Sequence, residues 1–120
     1  MNATIRLIIL AGLIFLLDLP WLSFIGGDYS ALVRKIQGGS EPRMRPLAGI
    51  VVYIALAFLV LKTKNLKDAF LTGAAVYAVY DFTVMALFKD YNIGMALADT
   101  VWGGVLFTLA YFILHTFIDA

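Results

Sequence analysis

Four long apolar runs alternate with three polar breaks along the chain. The runs cover residues 4–25, 46–61, 69–88 and 96–118. None alternates with a period of two, and continuous apolar runs of this length predict helices. A hydrocarbon core about 30 Å thick takes about 20 helical residues to cross. The first, third and fourth runs are long enough; the second is short, but Lys62 and Lys64 can snorkel past its end. Unsatisfied backbone groups are costly in lipid, so spans are helices or closed barrels. The pattern therefore predicts an all-α fold, an integral membrane four-helix bundle forming one four-span domain over residues 1–120. Four spans bring both termini to one side of the bilayer, here side A, and put the breaks near 26–45 and 89–95 on side B. The shorter breaks predict antiparallel hairpins. Arg6 ahead of the apolar run Leu7 to Leu17 resembles a secretory signal. No small-x-small cleavage site follows in Asp18 to Ile25, so the segment is expected to stay as a helix.

The first break is long enough to hold structure. Asp28 can cap a short helix that ends at Gly38-Gly39. Tyr29, Leu32, Val33 and Ile36 fall at i, i+3, i+4 and i+7 and make one apolar face, with Arg34, Lys35 and Gln37 elsewhere. This spacing fits a short interfacial helix on side B; a solvated connector is the alternative. Ser40 to Pro46 is turn-forming and leads into the second span.

Composition agrees with the pattern. The chain is 62% apolar and 14% charged, against about 45–50% and about 25% in soluble domains. A soluble bundle this small could not hide that much apolar surface from water. Disorder is excluded on the same grounds, and the absence of Cys excludes a disulfide scaffold. Nine Lys and Arg offset by eight acids, without a long basic run, argue against nucleic-acid partners. The expected partner is the lipid bilayer, with a homo-oligomer or a membrane complex as the further expectation. The expected location is a membrane. Charge does not set the orientation. Side A carries Arg6, Lys62, Lys64 and Lys67, and side B carries Arg34, Lys35, Arg43, Arg45 and Lys89, too even a split for the positive-inside rule.

The chemistry sits on three acids within spans: Asp18, Asp81 and Asp99. Each costs about 2.5–3.5 kcal/mol at mid-bilayer. Counting along the helices puts all three in the side-B half. Trp21 follows Asp18 by three residues and Trp102 follows Asp99 by three, each pair on one helical face. Tyr77 precedes Asp81 by four and Tyr80 adjoins it; Tyr53 is the main polar group of the second span, and Thr83 and Thr100 supply hydroxyls. Asp18, Trp21, Tyr53, Tyr77, Tyr80, Asp81, Thr83, Asp99, Trp102 and Gly103 are thus expected to form a carboxylate–aromatic pocket open toward side B and floored by apolar residues. It would bind a small ligand or pass protons or cations. Two other readings stay open. The polar groups can serve only to glue helices together, as in a structural accessory subunit. A lipid-modifying enzyme ranks last, because no nucleophile, phosphate loop or metal motif is visible.

No basic residue lies deep in a span, so the acids either carry protons or are approached by Arg34, Lys35 or an external cation. Ala69, Gly73 and Tyr77 step by four to Asp81, and Asp99, Gly103, Leu106 and Ala110 share a face, so Asp81 and Asp99 are expected at one helix–helix seam. Gly103-Gly104 could alternatively serve a dimer. Pro20 takes the helical partner from the Leu16 carbonyl and either kinks the first span or helps end it near Gly26-Gly27. His115 is expected alone near side A. With no second His and no Cys, zinc is not indicated and no cofactor is called for.

Three strings carry a resemblance. Leu17-Asp18-Leu-Pro-Trp21-Leu resembles the D-L-x-W-L of a family of predicted bacterial membrane proteins, domain of unknown function 2177. Tyr80-Asp81-Phe-Thr83 resembles its Y-D-x-T-N, and Asp99-Thr-Val-Trp102-Gly103 its D-x-x-W-G. Order and spacing agree over nearly the whole chain. The resemblance implies a four-span membrane protein without an assigned activity, and one shared site built from Asp18, Trp21, Tyr80, Asp81, Thr83, Asp99, Trp102 and Gly103. The Asn that usually closes the second string is Val84 here, which removes an amide beside Asp81.

Overall fold

The computed structural model describes residues 2–36, 46–89 and 91–119, with the side chains of 25–36 left aside. These residues form four helices: α1 (Ala3–Ile36), α2 (Pro46–Lys62), α3 (Leu66–Leu87) and α4 (Ile93–Ile113), the last continued by a π-helical turn, Leu114–Ile118. Three segments are long and apolar enough to cross a membrane: Ala3–Phe24, Leu66–Leu87 and Ile93–Ile118. The 17 residues of α2 are about 25 Å long, short of a full crossing.

Two helices begin on polar caps rather than on the first apolar residue, which is why they start three residues earlier than the apolar runs. The Asn65 side chain accepts from the Asp68 N–H at 2.8 Å, and Asp68 accepts from the Lys64 N–H at 2.9 Å. Asn92 accepts from the Met95 N–H at 2.7 Å. Such bonds satisfy N–H groups that a helix start leaves open. Pro46 opens α2, where its missing N–H costs nothing.

α1 departs from expectation. Pro20 lies inside it, and the helix runs on through Gly26-Gly27 to Ile36. Pro20 therefore does not help end the span. Losing one helical bond at Leu16 is cheaper in lipid than breaking the helix, which would strip several backbone groups of partners. The helix expected over the first break is present through Ile36 as the extension of α1, not as a separate element. Its interfacial face (Tyr29, Leu32, Val33, Ile36), its Asp28 cap and its end at Gly38-Gly39 lie outside the described side chains and residues.

α3 and α4 pack closest. A Cβ on Gly73 would overlap the Gly103 carbonyl and the Phe107 side chain. One on Gly103 would overlap the Tyr77 ring and stand 2.6 Å from the Gly73 carbonyl. Small residues let membrane helices approach this far. Gly104 is likewise covered by the Phe70 ring, so Gly103 and Gly104 are spent inside the chain and not on a dimer face. α1 lies against α2 and α4. Leu10, Ile14, Leu56, Val60, Leu106 and Phe107 form the centre of an apolar core in the side-A half. The outer surface is apolar too, with Phe24, Leu47, Val79 and Leu87 among its most exposed side chains, as expected where the solvent is acyl chain.

At side A, Arg6 donates to both Asp119 oxygens, at 3.0 and 2.6 Å, and so ties the start of α1 to the end of the π-turn. Both ends of the chain thus reach the same side. His115 Nδ1 is 3.6 Å from Asp119 and its ring lies against Tyr111. The Arg6 hydrogen bonds hold the Asp119 carboxyl below the ordinary carboxylate range, with burial weakly opposing. A lowered folded value means the tie acts above the unfolded pKa of about 3.9 and is lost as pH falls through the lower folded one. Acidification below the usual Asp range is expected to free the π-turn, and Asp119→Asn to free it at neutral pH. Faster amide exchange at residues 114–118 would register both, and unchanged exchange would refute the tie.

Candidate functional site

The polar side chains of the side-B half meet in one hydrogen-bonded layer. Asp18 (α1), 5% exposed, accepts from Tyr53 Oη (α2) at 2.7 Å and from Trp102 Nε1 (α4) at 2.8 Å. Trp21, one turn on from Asp18, donates Nε1 to Asp99 (α4) at 2.8 Å. Each tryptophan thus crosses to the acid of the opposite helix. The indoles stack between the helices, centroids 5.4 Å apart and planes 15° from parallel. Two Asp-x-x-Trp units on antiparallel helices close as a reciprocal clasp. The clasp works because i and i+3 share a helical face: the acid of each unit faces the indole of the other.

The third acid joins through α3. Asp81 is fully buried, and the Asp99 carboxyl of α4 lies beside it. Asp81 Oδ1 accepts from Tyr91 Oη at 2.6 Å. Asp81 and Asp99 meet at the α3–α4 seam that Gly73 and Gly103 draw tight. Without a proton between these carboxyls, Asp81 Oδ2 has no donor among the described residues. A carboxyl–carboxyl hydrogen bond needs one hydrogen on the pair, and the orphaned oxygen marks where it is required.

Of the other expected site residues, Tyr77 lies over Gly103 and close enough to Asp18, Asp99, Tyr53 and Asp81 to feel their charges or dipoles. Tyr80 and Thr83 are on the exposed side of α3. Thr100 Oγ1 is buried without a partner among the described residues. The nearby cavity, about 490 Å³, is apolar and lined by the two tryptophans with Leu97, Ala98, Val101 and Val105. Among the described residues no group of three His, Cys, Asp or Glu could hold a metal ion, so a hard cation on the three aspartates lacks geometric support. The side chains of Arg34 and Lys35 lie outside the description.

Sequence reasoning missed Tyr91. It sits in the α3–α4 connection, 4% exposed, just ahead of the Asn92 cap. An apolar or aromatic residue before an N-cap is a recognised helix-entry signal, and that position next to an acid-bearing hairpin could have flagged it.

The sequence pattern of one family, described as a predicted membrane protein (DUF2177), matches residues 3–114. The chain belongs to the DUF2177 family. The match spans all four helices and every residue of the polar layer, while Asp119 and His115 fall beyond it. No curated protein and no solved structure matches this DUF2177 chain. The family brings no assigned chemistry, so a functional reading of the layer rests on its geometry.

Proposed function

We propose that the protein is a membrane-embedded, one-sided proton-binding unit whose site is the Asp81–Asp99 pair. The observation that carries this reading is the fully buried Asp81 carboxyl, with an oxygen that has no donor among the described residues and that a proton shared with Asp99 would satisfy. An intramembrane ionisable group is costly enough that function is its default explanation. Access is from side B alone: toward side A the acids give way to the apolar core of Leu10, Ile14, Val60, Leu106 and Phe107. That dry layer favours binding and release over conduction by a single chain.

The accessory-subunit reading keeps one observation of its own. Both Asp18 oxygens accept from donors on other helices, Tyr53 and Trp102, which is how a helix-gluing group is built. We therefore divide the roles, with Asp18 holding the bundle and Asp81–Asp99 holding the proton.

Infrared difference spectroscopy of the protein in liposomes tests this. A deuterium-sensitive protonated-carboxyl band is expected, changing with pH on one side of the vesicle and absent in Asp81→Asn. A wild-type spectrum with no such band, or a band untouched by Asp81→Asn, would remove the proton site and leave the accessory role.

A further inference from the structure

Asp99 is the junction between two structures of unequal stiffness. On one side it lies beside Asp81 across the α3–α4 seam, where the backbones of Gly73 and Gly103 are in contact. On the other it accepts the Trp21 indole N–H from α1. We propose that the Trp21 indole reads the proton occupancy of the Asp81–Asp99 pair. Release of the proton toward side B tightens the Trp21–Asp99 bond; uptake slackens it and frees the part of α1 beyond Pro20. This regulatory role rests on the proton site proposed above.

The chemistry is direct. With one proton, the pair is a carboxylic acid donating to a carboxylate, and the hydrogen bond between them draws acceptor strength away from Asp99. Loss of the proton to water on side B leaves two carboxylates. Asp99, freed of the competing donor, then gives its charge to the indole N–H alone and holds it harder. Like charges also repel, and the glycine seam cannot widen to relieve them. Asp99 can yield only toward α1, where Trp21 meets it.

Pro20 gives the bond something to control. It lies between Asp18, fixed to Tyr53 and Trp102, and Trp21. Proline donates no helical bond to the Leu16 carbonyl, so the helix is weakest between these two anchors. Among the described side chains, Asp18 is thus the last polar anchor of α1 before Pro20 and Trp21 the first beyond it. Among the described residues, the groups facing the pair are Tyr91 from the connection, Trp21 on α1 and Tyr77 on α3. Among the described residues no Lys, Arg or His bonds it.

The chain has two tryptophans, so the indole N–H signals of the full-length, nitrogen-15-labelled protein in nanodiscs report the clasp directly. As pH rises, the Trp21 indole proton is expected to move downfield with the midpoint of the carboxyl infrared band. The Trp102 signal, whose acceptor is Asp18, should move less than half as far. Asp81→Asn should make the Trp21 signal independent of pH. Tyr91→Phe, which keeps the ring and removes only the donor to Asp81, should displace both midpoints together and serves if Asp81→Asn does not fold. A carboxyl band that titrates while Trp21 stays still, or a Trp102 shift as large as that of Trp21, would overturn the coupling and leave the proton site standing. A carboxyl band that never titrates would overturn both.

Discussion

Gly103→Ala is expected to loosen the α3–α4 hairpin strongly, and Gly73→Ala at least as much. The carbon added at Gly103 would overlap the Tyr77 ring and press on the Gly73 carbonyl. A ring can turn, but a carbonyl held in its own helix cannot, so the two helices must separate. Overpacking usually costs about 1–3 kcal/mol. With backbone on one side of the clash, about 3 kcal/mol is expected, roughly a hundredfold in the folding equilibrium. Gly12→Ala is the control. No atom lies within 4 Å of its Cβ position, and Ala is favoured over Gly inside a helix by about 0.5–1 kcal/mol, so this variant should be unchanged or slightly more stable. Reversible unfolding in mixed micelles compares them. Equal stability of the two variants would mean the close approach at Gly73 and Gly103 does not hold the hairpin.

The same seam shows what the sequence could convey. Gly73, Tyr77 and Asp81 at steps of four, and Asp99 with Gly103 at the matching interval, are a packing face legible from spacing alone. Apolar run length predicted four spans; three helices are long enough to cross, and α2 is a shorter apolar helix. Depth counting placed Asp18, Asp81 and Asp99 in one half of the bilayer; in the fold Trp102 bonds Asp18 and Trp21 bonds Asp99 between α1 and α4. The sequence could not say which helix faces which. Asp18 with Trp21, and Asp99 with Trp102, read as two local pairs; in the fold each indole bonds the other pair's acid. Spacing defines a face but not its neighbour. Tyr80 and Thr83 were misleading for the same reason: they adjoin Asp81 in sequence, and a helix turns them to its exposed side. Pro20 shows the environment outweighing a local rule, since the helix it would interrupt in water continues to Ile36.

Asp18 gives the second large effect, and it separates gluing from proton binding. Asp18→Ala strands the Tyr53 hydroxyl and the Trp102 indole N–H together, and with them the joints of α1 to α2 and to α4. Interhelical hydrogen bonds in bilayers average about 0.6 kcal/mol and reach about 1.7. Two bonds on one buried carboxyl put the loss near 3 kcal/mol. Tyr53→Phe alone should cost about 1 kcal/mol, and much less in the Asp18→Ala background, because its acceptor is already gone. That coupling is the signature of a direct bond; strictly additive losses would show that Tyr53 and Asp18 stabilise the fold separately. The carboxyl infrared band assigned to Asp81–Asp99 should survive in Asp18→Ala protein that remains folded. Its disappearance there, with the helices intact, would move the proton from the α3–α4 seam to Asp18 and reverse the division of roles between the acids.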